Sequence, residues 1–259
     1  MRLILNADDF GYDEDSTTKT IDCFEKGALT SATIMPCMPS TQRAIEYAKQ
    51  NPNFSFGVHL TFIDGLLPLG EKNKISSLLT ANNTFKGSNR IRISSLLGLL
   101  KKSDIIEETK RQIGFLVDAG VNVSHVDSHG HIHKFPVFQN AISEACNSFG
   151  IHKARKVQDV FLDKPEINPS NLMYSYCDKK IKKMFQTTDY FYMPASSLDT
   201  NWSESLIKKL GLFKCNDIIE VGVHPGSEDS WRKNEYDDVI KFLLSIKNTH
   251  HTLINWNYL

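Results

Sequence analysis

The chain has 259 residues, 41% hydrophobic and 23% charged, with 30 Lys+Arg against 30 Asp+Glu. That size suits one large domain or two small ones, and the charge balance argues against bulk electrostatic binding to nucleic acid or an anionic membrane. The first residues turn acidic at once after Leu3-Ile4-Leu5, so they read as neither a signal peptide nor a membrane span. Cys23, Cys37, Cys146, Cys177 and Cys215 form no CxxC clip and fit reduced thiols in a cytoplasmic protein.

Residues 3–5 suit a strand buried on both faces. The run ends in Asn6-Ala7-Asp8-Asp9-Phe10-Gly11, where two adjacent carboxylates need partners for their charge. A plain loop start, with one Asp capping the next helix, suits Asp13 or Asp15 ahead of a helix over 16–26. For Asp8 and Asp9 a site is favoured, because α/β folds build sites at the C-terminal ends of their strands. A second strand over 31–35 stops at Pro36, a helix covers 41–50, and a third strand covers 54–60. His59, near the end of that strand, reads equally as a hydrogen-bonded core residue or as a ligand.

Residues 61–103 are irregular, with a short amphipathic helix over 91–100. They read as an insertion over the site, a lid or a subunit contact, or as plain connection; the apolar helix allows a homodimer. A helix over 104–119, capped by Ser103 or Asp104, ends at Gly120. The fourth strand, 121–126, delivers residues 124–134, which hold His125, Asp127, His129, His131 and His133. If the segment is extended, Asp127, His129, His131 and His133 share one face. Three imidazoles beside a carboxylate suit a divalent metal, the alternative being a solvated His-rich turn.

A helix over 135–149 follows, then a strand over 152–158 carrying Lys153, Arg155 and Lys156. Further on come a basic helix (171–186), a strand (190–193), a helix (202–210), a strand (218–223) entering His224-Pro225-Gly226, a helix (236–245) and a last strand (253–256). The strand–helix alternation implies a mainly parallel sheet and an α/β fold. About seven or eight strands over this length suit an irregular (β/α) barrel. An open doubly wound sheet is the alternative, although no nucleotide-binding fingerprint supports it. No repeat or linker divides the chain, so residues 1–259 read as one domain.

Asp8, Asp9, His59, the histidine segment and His224 all lie at or past strand ends, which converge on one face of a parallel barrel. Two His and an Asp make a catalytic metal set. A second carboxylate beside it could act as general base, and a His opposite could protonate a leaving group. These pieces suit metal-assisted hydrolysis, and no G-x-S-x-G points to a serine nucleophile.

The stretches Asn6-Ala7-Asp8-Asp9-Phe10-Gly11, Gly57-Val58-His59-Leu60, His125 through His133 and His224-Pro225-Gly226 resemble, in order and spacing, the four motifs of the YdjC-like carbohydrate deacetylases. The resemblance runs from residue 2 to about residue 226. It implies a distorted barrel similar to that of the polysaccharide deacetylases and a divalent ion, Mg2+ ahead of Zn2+ or another transition metal. It implies Asp9, His59 and His129 as metal ligands, Asp8 as general base and His224 as general acid or oxyanion-side group. His131 and His133 would orient ligands or touch substrate, and Asp127 would fix an imidazole tautomer. Arg155 reads as a substrate contact or as a solvated charge at a strand end. The partner implied is a small N-acetylated sugar of the chitooligosaccharide type, with no nucleic acid or membrane. The alternatives are hydrolysis of another amide or a phosphoester on the same barrel, and a non-catalytic sugar-binding protein.

Overall fold

The computed structural model describes residues 1–162, 170–194, 201–247 and 249–259. Seven strands carry the sheet: β1 (Arg2–Phe10), β2 (Ser31–Ile34), β3 (Ser55–Leu60), β4 (Val123–Ser128), β5 (Tyr190–Tyr192), β6 (Ile218–Val223) and β7 (Thr252–Leu253). Their order is β4-β3-β2-β1-β6-β5, every neighbouring pair is parallel, and β7 pairs with the start of β1. The sheet curls into a half-barrel with helices on its outer face. These are α1 (Glu14–Glu25), α2 (Thr41–Gln50), α3 (Ser88–Leu96), α4 (Lys102–Asp118), α5 (Pro136–Asn147), α6 (Ser170–Ile181), α7 (Trp202–Leu210) and α8 (Ser230–Ile246).

The sequence reading placed a strand at 152–158. The structure has only single parallel bridges there, Val126 to Ala154, Lys153 to Gln186 and Val160 to Tyr192. Each contact is one residue long, so this segment spans the gap between β4 and β5 without forming a ladder. Neither Ser103 nor Asp104 caps α4. The helix starts from Lys101, and Asp104 instead accepts a hydrogen bond from the backbone N–H of Ser77 at 2.9 Å. The last helix begins at Ser230, not near 236, and the last strand is only Thr252–Leu253. The remaining boundaries move by a few residues. Asp13 caps α1 through a capping box with Ser16.

Side-chain alternation along the strands sorts the interior. Leu3, Leu5 and Ala7 of β1 join the main core beneath the helices, as do Val58, Leu60, Val221 and Val223. The opposite parity faces into the half-barrel. Ile4 packs there with Ile218 and Trp256, and His125 stacks on Trp256 with ring centroids 4.4 Å apart. Above this floor the inward positions are polar and buried: Asn6, Asp8, Thr33, His59, Asp127 and Glu220. A polar barrel interior requires mutual pairing of its charges, because each would otherwise lose its hydration without replacement.

Residues 61–103 are packed into this body. Phe62, Ile63, Ile75, Leu78 and Phe85 belong to the main core. The buried Glu108 on α4 accepts hydrogen bonds from the backbone N–H groups of Leu69 (3.1 Å) and Gly70 (2.7 Å). Gln112 both accepts from and donates to the backbone of Thr61. On α3, Ile91 and Ser94 are buried while Ile93 and Leu96 are exposed. Among the described residues no helix is long and apolar enough to cross a membrane.

Candidate active site

On a regular strand the adjacent Asp8 and Asp9 would point to opposite faces. The end of β1 is not regular: its register with β2 shifts between Ala7 and Phe10, and Asp9 has φ +57°. A left-handed non-glycine residue at a strand end is strained. Here it turns both carboxylates toward one site, as bulges next to active sites do.

Asp8 is buried and clamped. Arg155 donates from Nη1 to Asp8 Oδ2 (2.5 Å) and from Nη2 to Oδ1 (2.6 Å), and Asn6 Nδ2 donates to Oδ1 (2.9 Å). Burial acts to raise the Asp8 pKa, but the Arg155 guanidinium outweighs it and holds the carboxyl well below the usual range. The same guanidinium reaches Asp127 Oδ2 at 2.7 Å and Glu220 Oε1 at 2.8 Å, and it lies 4.7 Å from the centroid of the Phe191 ring. Arg155 is fully buried. It is therefore neither a solvated surface charge nor available as a substrate contact; it organises the carboxylates around it.

Asp9 Oδ1 faces two imidazoles, His59 Nε2 at 3.3 Å and His129 Nδ1 at 3.0 Å. Burial opposes the Asp9 charge, yet its bonds to His129 and His59 hold its pKa well below normal. The other oxygen, Oδ2, accepts from Arg232 Nη2 at 2.7 Å, so only Oδ1 is turned to the histidines. His59 Nδ1 sits 2.7 Å from Asp127 Oδ1, and Thr33 Oγ1 donates to Asp127 Oδ2 at 3.1 Å. Burial works against a charged His59, but Asp127 prevails and lifts its pKa to about 10.

One donor atom from each of Asp9, His59 and His129 lies within 4.8 Å of the other two. Two imidazoles and one carboxylate are a donor set for a divalent cation. The Asp127 contact at Nδ1 leaves His59 Nε2 as the nitrogen turned toward Asp9 and open to a cation, a carboxylate–histidine arrangement. Asp8, His59 and Asp127 also cluster this closely. In that second group, however, both carboxylates already face Arg155, which supplies the positive charge a metal would bring. The first trio is the better fit.

His224, after β6, places Nε2 4.0 Å from Asp8 Oδ2. Glu235 accepts from the His224 backbone N–H at 2.6 Å and meets Nδ1 at 3.2 Å. Burial would lower the His224 pKa, but Glu235 outweighs it and the imidazolium is favoured.

The expected face of Asp127, His129, His131 and His133 does not exist. β4 stops at Ser128 and His129–Lys134 turn as a 3-10 segment, with Gly130 and His131 both left-handed. Gly130 has φ +59°, a backbone conformation that favours glycine, and a Cβ there would also displace the end of the Ile63 side chain. The turn separates the histidines. His129 joins the trio, His131 meets Met193 Sδ at 3.2 Å, and His133 Nδ1 meets Ser128 Oγ at 2.8 Å. His125 lies below the site on the barrel floor.

Sequence reasoning missed Glu220, Arg232 and Glu235. Glu220 carried a usable signal, a lone charge within the apolar run Ile218-Ile219-Glu220-Val221. Arg232 and Glu235 sit three apart on the first turns of α8, a spacing that puts both on one face. The helix expected to start at 236 left them outside any element.

Several known proteins are similar to this chain. A carbohydrate deacetylase of Vibrio campbellii is 29% identical over 235 residues, covering 88% of this chain and 80% of that protein. A carbohydrate deacetylase of Brevibacillus brevis is 33% identical over 136 residues, 52% of each chain. The crystal structure of a candidate cellobiose-phosphate cleavage protein from Enterococcus faecalis shares the fold, with a TM-score of 0.79 at 20% identity over 99% of this chain and 98% of that one. The model of the YdjC-like protein family matches residues 2–252, and the chain therefore belongs to that family.

Proposed function

We propose that this chain is a divalent-metal-dependent hydrolase that removes acetyl groups from N-acetylated sugars of the chitooligosaccharide type. The observation that carries the reading is the Asp9, His59 and His129 trio set beside the buried Asp8 and the half-buried His224. The carbohydrate deacetylases among its relatives support the substrate class. A magnesium- or zinc-type cation held by the trio supplies Lewis acidity toward the acetamide carbonyl and toward water. Asp127 fixes the His59 tautomer, and Arg232 keeps Asp9 presenting one oxygen.

Asp8 accepts the proton of the attacking water. A carboxylate held so far below neutral is an intrinsically weak base. What Arg155 and Asn6 supply is one fixed orientation and full ionisation at neutral pH. His224, kept protonated by Glu235, delivers a proton from Nε2 to the departing amine. Residues 61–103 belong to the same single catalytic domain and bring Asp64 Oδ2 within 3.9 Å of His129 Nε2 at the rim of the site. The free cysteines suit a cytoplasmic setting. A phosphoester substrate is less well served, because Arg155 and Arg232 are both committed to carboxylates.

The test is acetate release from diacetylchitobiose by protein stripped of metal and then given back magnesium, manganese, cobalt or zinc. Release that needs a metal and vanishes in Asp9→Ala is the expected result. Metal binding that depends on Asp9 and His129, but without acetate from any chitooligosaccharide, would reject this substrate and keep the metal site.

A further inference from the structure

A helix on the surface of a folded chain ordinarily turns polar side chains to solvent. Helix α3 does not. Ile91 and Ser94 pack inward, yet Ile93, Leu96 and, just past the helix end, Leu97 and Leu99 stand between 57% and 67% exposed. Arg90, Ile93 and Leu97, spaced three and four apart, lie along this outer side. A cluster of exposed aliphatic side chains of this kind marks an interaction surface.

The same segment is charged in one sense. Residues 72–103 hold seven Lys and Arg and no Asp or Glu, in a chain whose charges balance overall. Lys74 and Lys102 pair with Glu71 and Glu144. Arg90 and Lys101, both exposed, have no ion pair among the described residues. The patch is also tied to the rim of the metal site. Arg92 Nη2 donates to the backbone oxygen of Gly130 at 3.1 Å, in the turn that carries His129, and the Ser88 N–H at the start of α3 donates to Asp64 Oδ1 at 3.1 Å.

These features select among occupants. A second copy seated on the same face across a two-fold axis would set one positive excess against another. Protein partners are anchored by Trp, Tyr and Arg, with Leu and Ser under-represented, and single-stranded nucleic acid is held by aromatic platforms. Here the exposed anchors are Leu and Ile. An anionic bilayer fits both features, because aliphatic tips enter the boundary between headgroups and acyl chains while Lys and Arg face the phosphates. We propose that α3 and residues 97–101 form a docking face for an anionic lipid bilayer, which holds the mouth of the metal site beside the headgroups. The chain lies on the surface, since among the described residues no helix is long and apolar enough to cross it. The overall charge balance, which argued against a membrane, averages this local excess away. Attachment is independent of the deacetylase reading, because it is measured without turnover.

The test is co-sedimentation of the full-length chain with vesicles of phosphatidylcholine alone, and with vesicles of phosphatidylcholine and phosphatidylglycerol in equal amounts. The chain should bind the mixed vesicles and not the neutral ones at about 0.1 M salt, and release as salt rises to about 1 M and the screening length falls from about 10 Å to about 3 Å. Arg90→Gln with Lys101→Gln should lower the partition coefficient roughly fivefold per cation. Leu96→Gln with Leu97→Gln should lower it at least about tenfold, with the melting temperature unchanged because both side chains are exposed. No preference for the mixed vesicles, or binding indifferent to the leucine pair, overturns the inference. So does a dimer in sedimentation velocity that the leucine pair dissociates while vesicles go unbound, which would give the face to a second copy.

Discussion

Replacing Arg155 with Met tests the physical basis of the site. The guanidinium contacts Asp8, Asp127 and Glu220, and all four groups are buried. Met preserves much of the side-chain volume and leaves the carboxylates without their cation. Breaking a buried ion pair on one side costs about 3–5 kcal/mol, which at about 2–4 °C per kcal/mol for a chain of this size is a loss of roughly 6–20 °C in melting temperature. The loss depends on pH. In the wild type the lowered pKa of Asp8 contributes stability above its unfolded value, lost only as pH falls through the lower folded value. Glu220 runs the other way. Burial dominates and pushes it up to about 7 even beside Arg155, so its contribution is present at low pH and fades as pH rises through 7. Without Arg155 both carboxyls titrate higher, and protonation relieves them in acid. Thermal melts of metal-free wild type and Arg155→Met at pH 5 and pH 8 should show the larger gap at pH 8. A variant melting within about 2 °C of wild type at pH 8 would refute the reasoning, as would a gap that fails to shrink at pH 5.

Glu235→Gln removes the carboxylate that holds His224 protonated, so the basic limb of the pH–rate profile should move to lower pH; an unchanged limb would separate His224 from that limb. His133 is held neutral, chiefly by burial, with its pKa down at about 3. Its contribution is complete above pH 6.5 and is lost as pH falls, by about 2 kcal/mol between pH 6.5 and 5. His133→Gln should flatten urea-derived stability over that interval by this amount. Gly57→Ala places a Cβ 2.7 Å from the backbone oxygen of His125, which cannot rotate away. It should cost about 1–3 kcal/mol in chemical denaturation, whereas Gly27→Ala, with open space around it, should lose only what its positive φ demands.

The order of strands and helices was legible because each local pattern has a cause within a few residues: apolar runs, caps such as Asp13, and helix-ending glycines such as Gly27. So was the gathering of Asp8, Asp9, His59, His129 and His224, because polar groups at strand ends share one face once the strands run parallel. The geometry of the histidine turn was not legible. Period two held only to Ser128, and Gly130 and His131 then adopt left-handed backbone that no hydropathy pattern records. The partners of the carboxylates were the least accessible. Arg155 meets Asp8 across a sequence separation of 147 and Arg232 meets Asp9 across 223. A buried charge states that it needs a counter-charge, and the sequence states that much by itself. Which residue answers is decided by curling of the sheet, which brings the 153–156 segment against β4 and α8 over the end of β1.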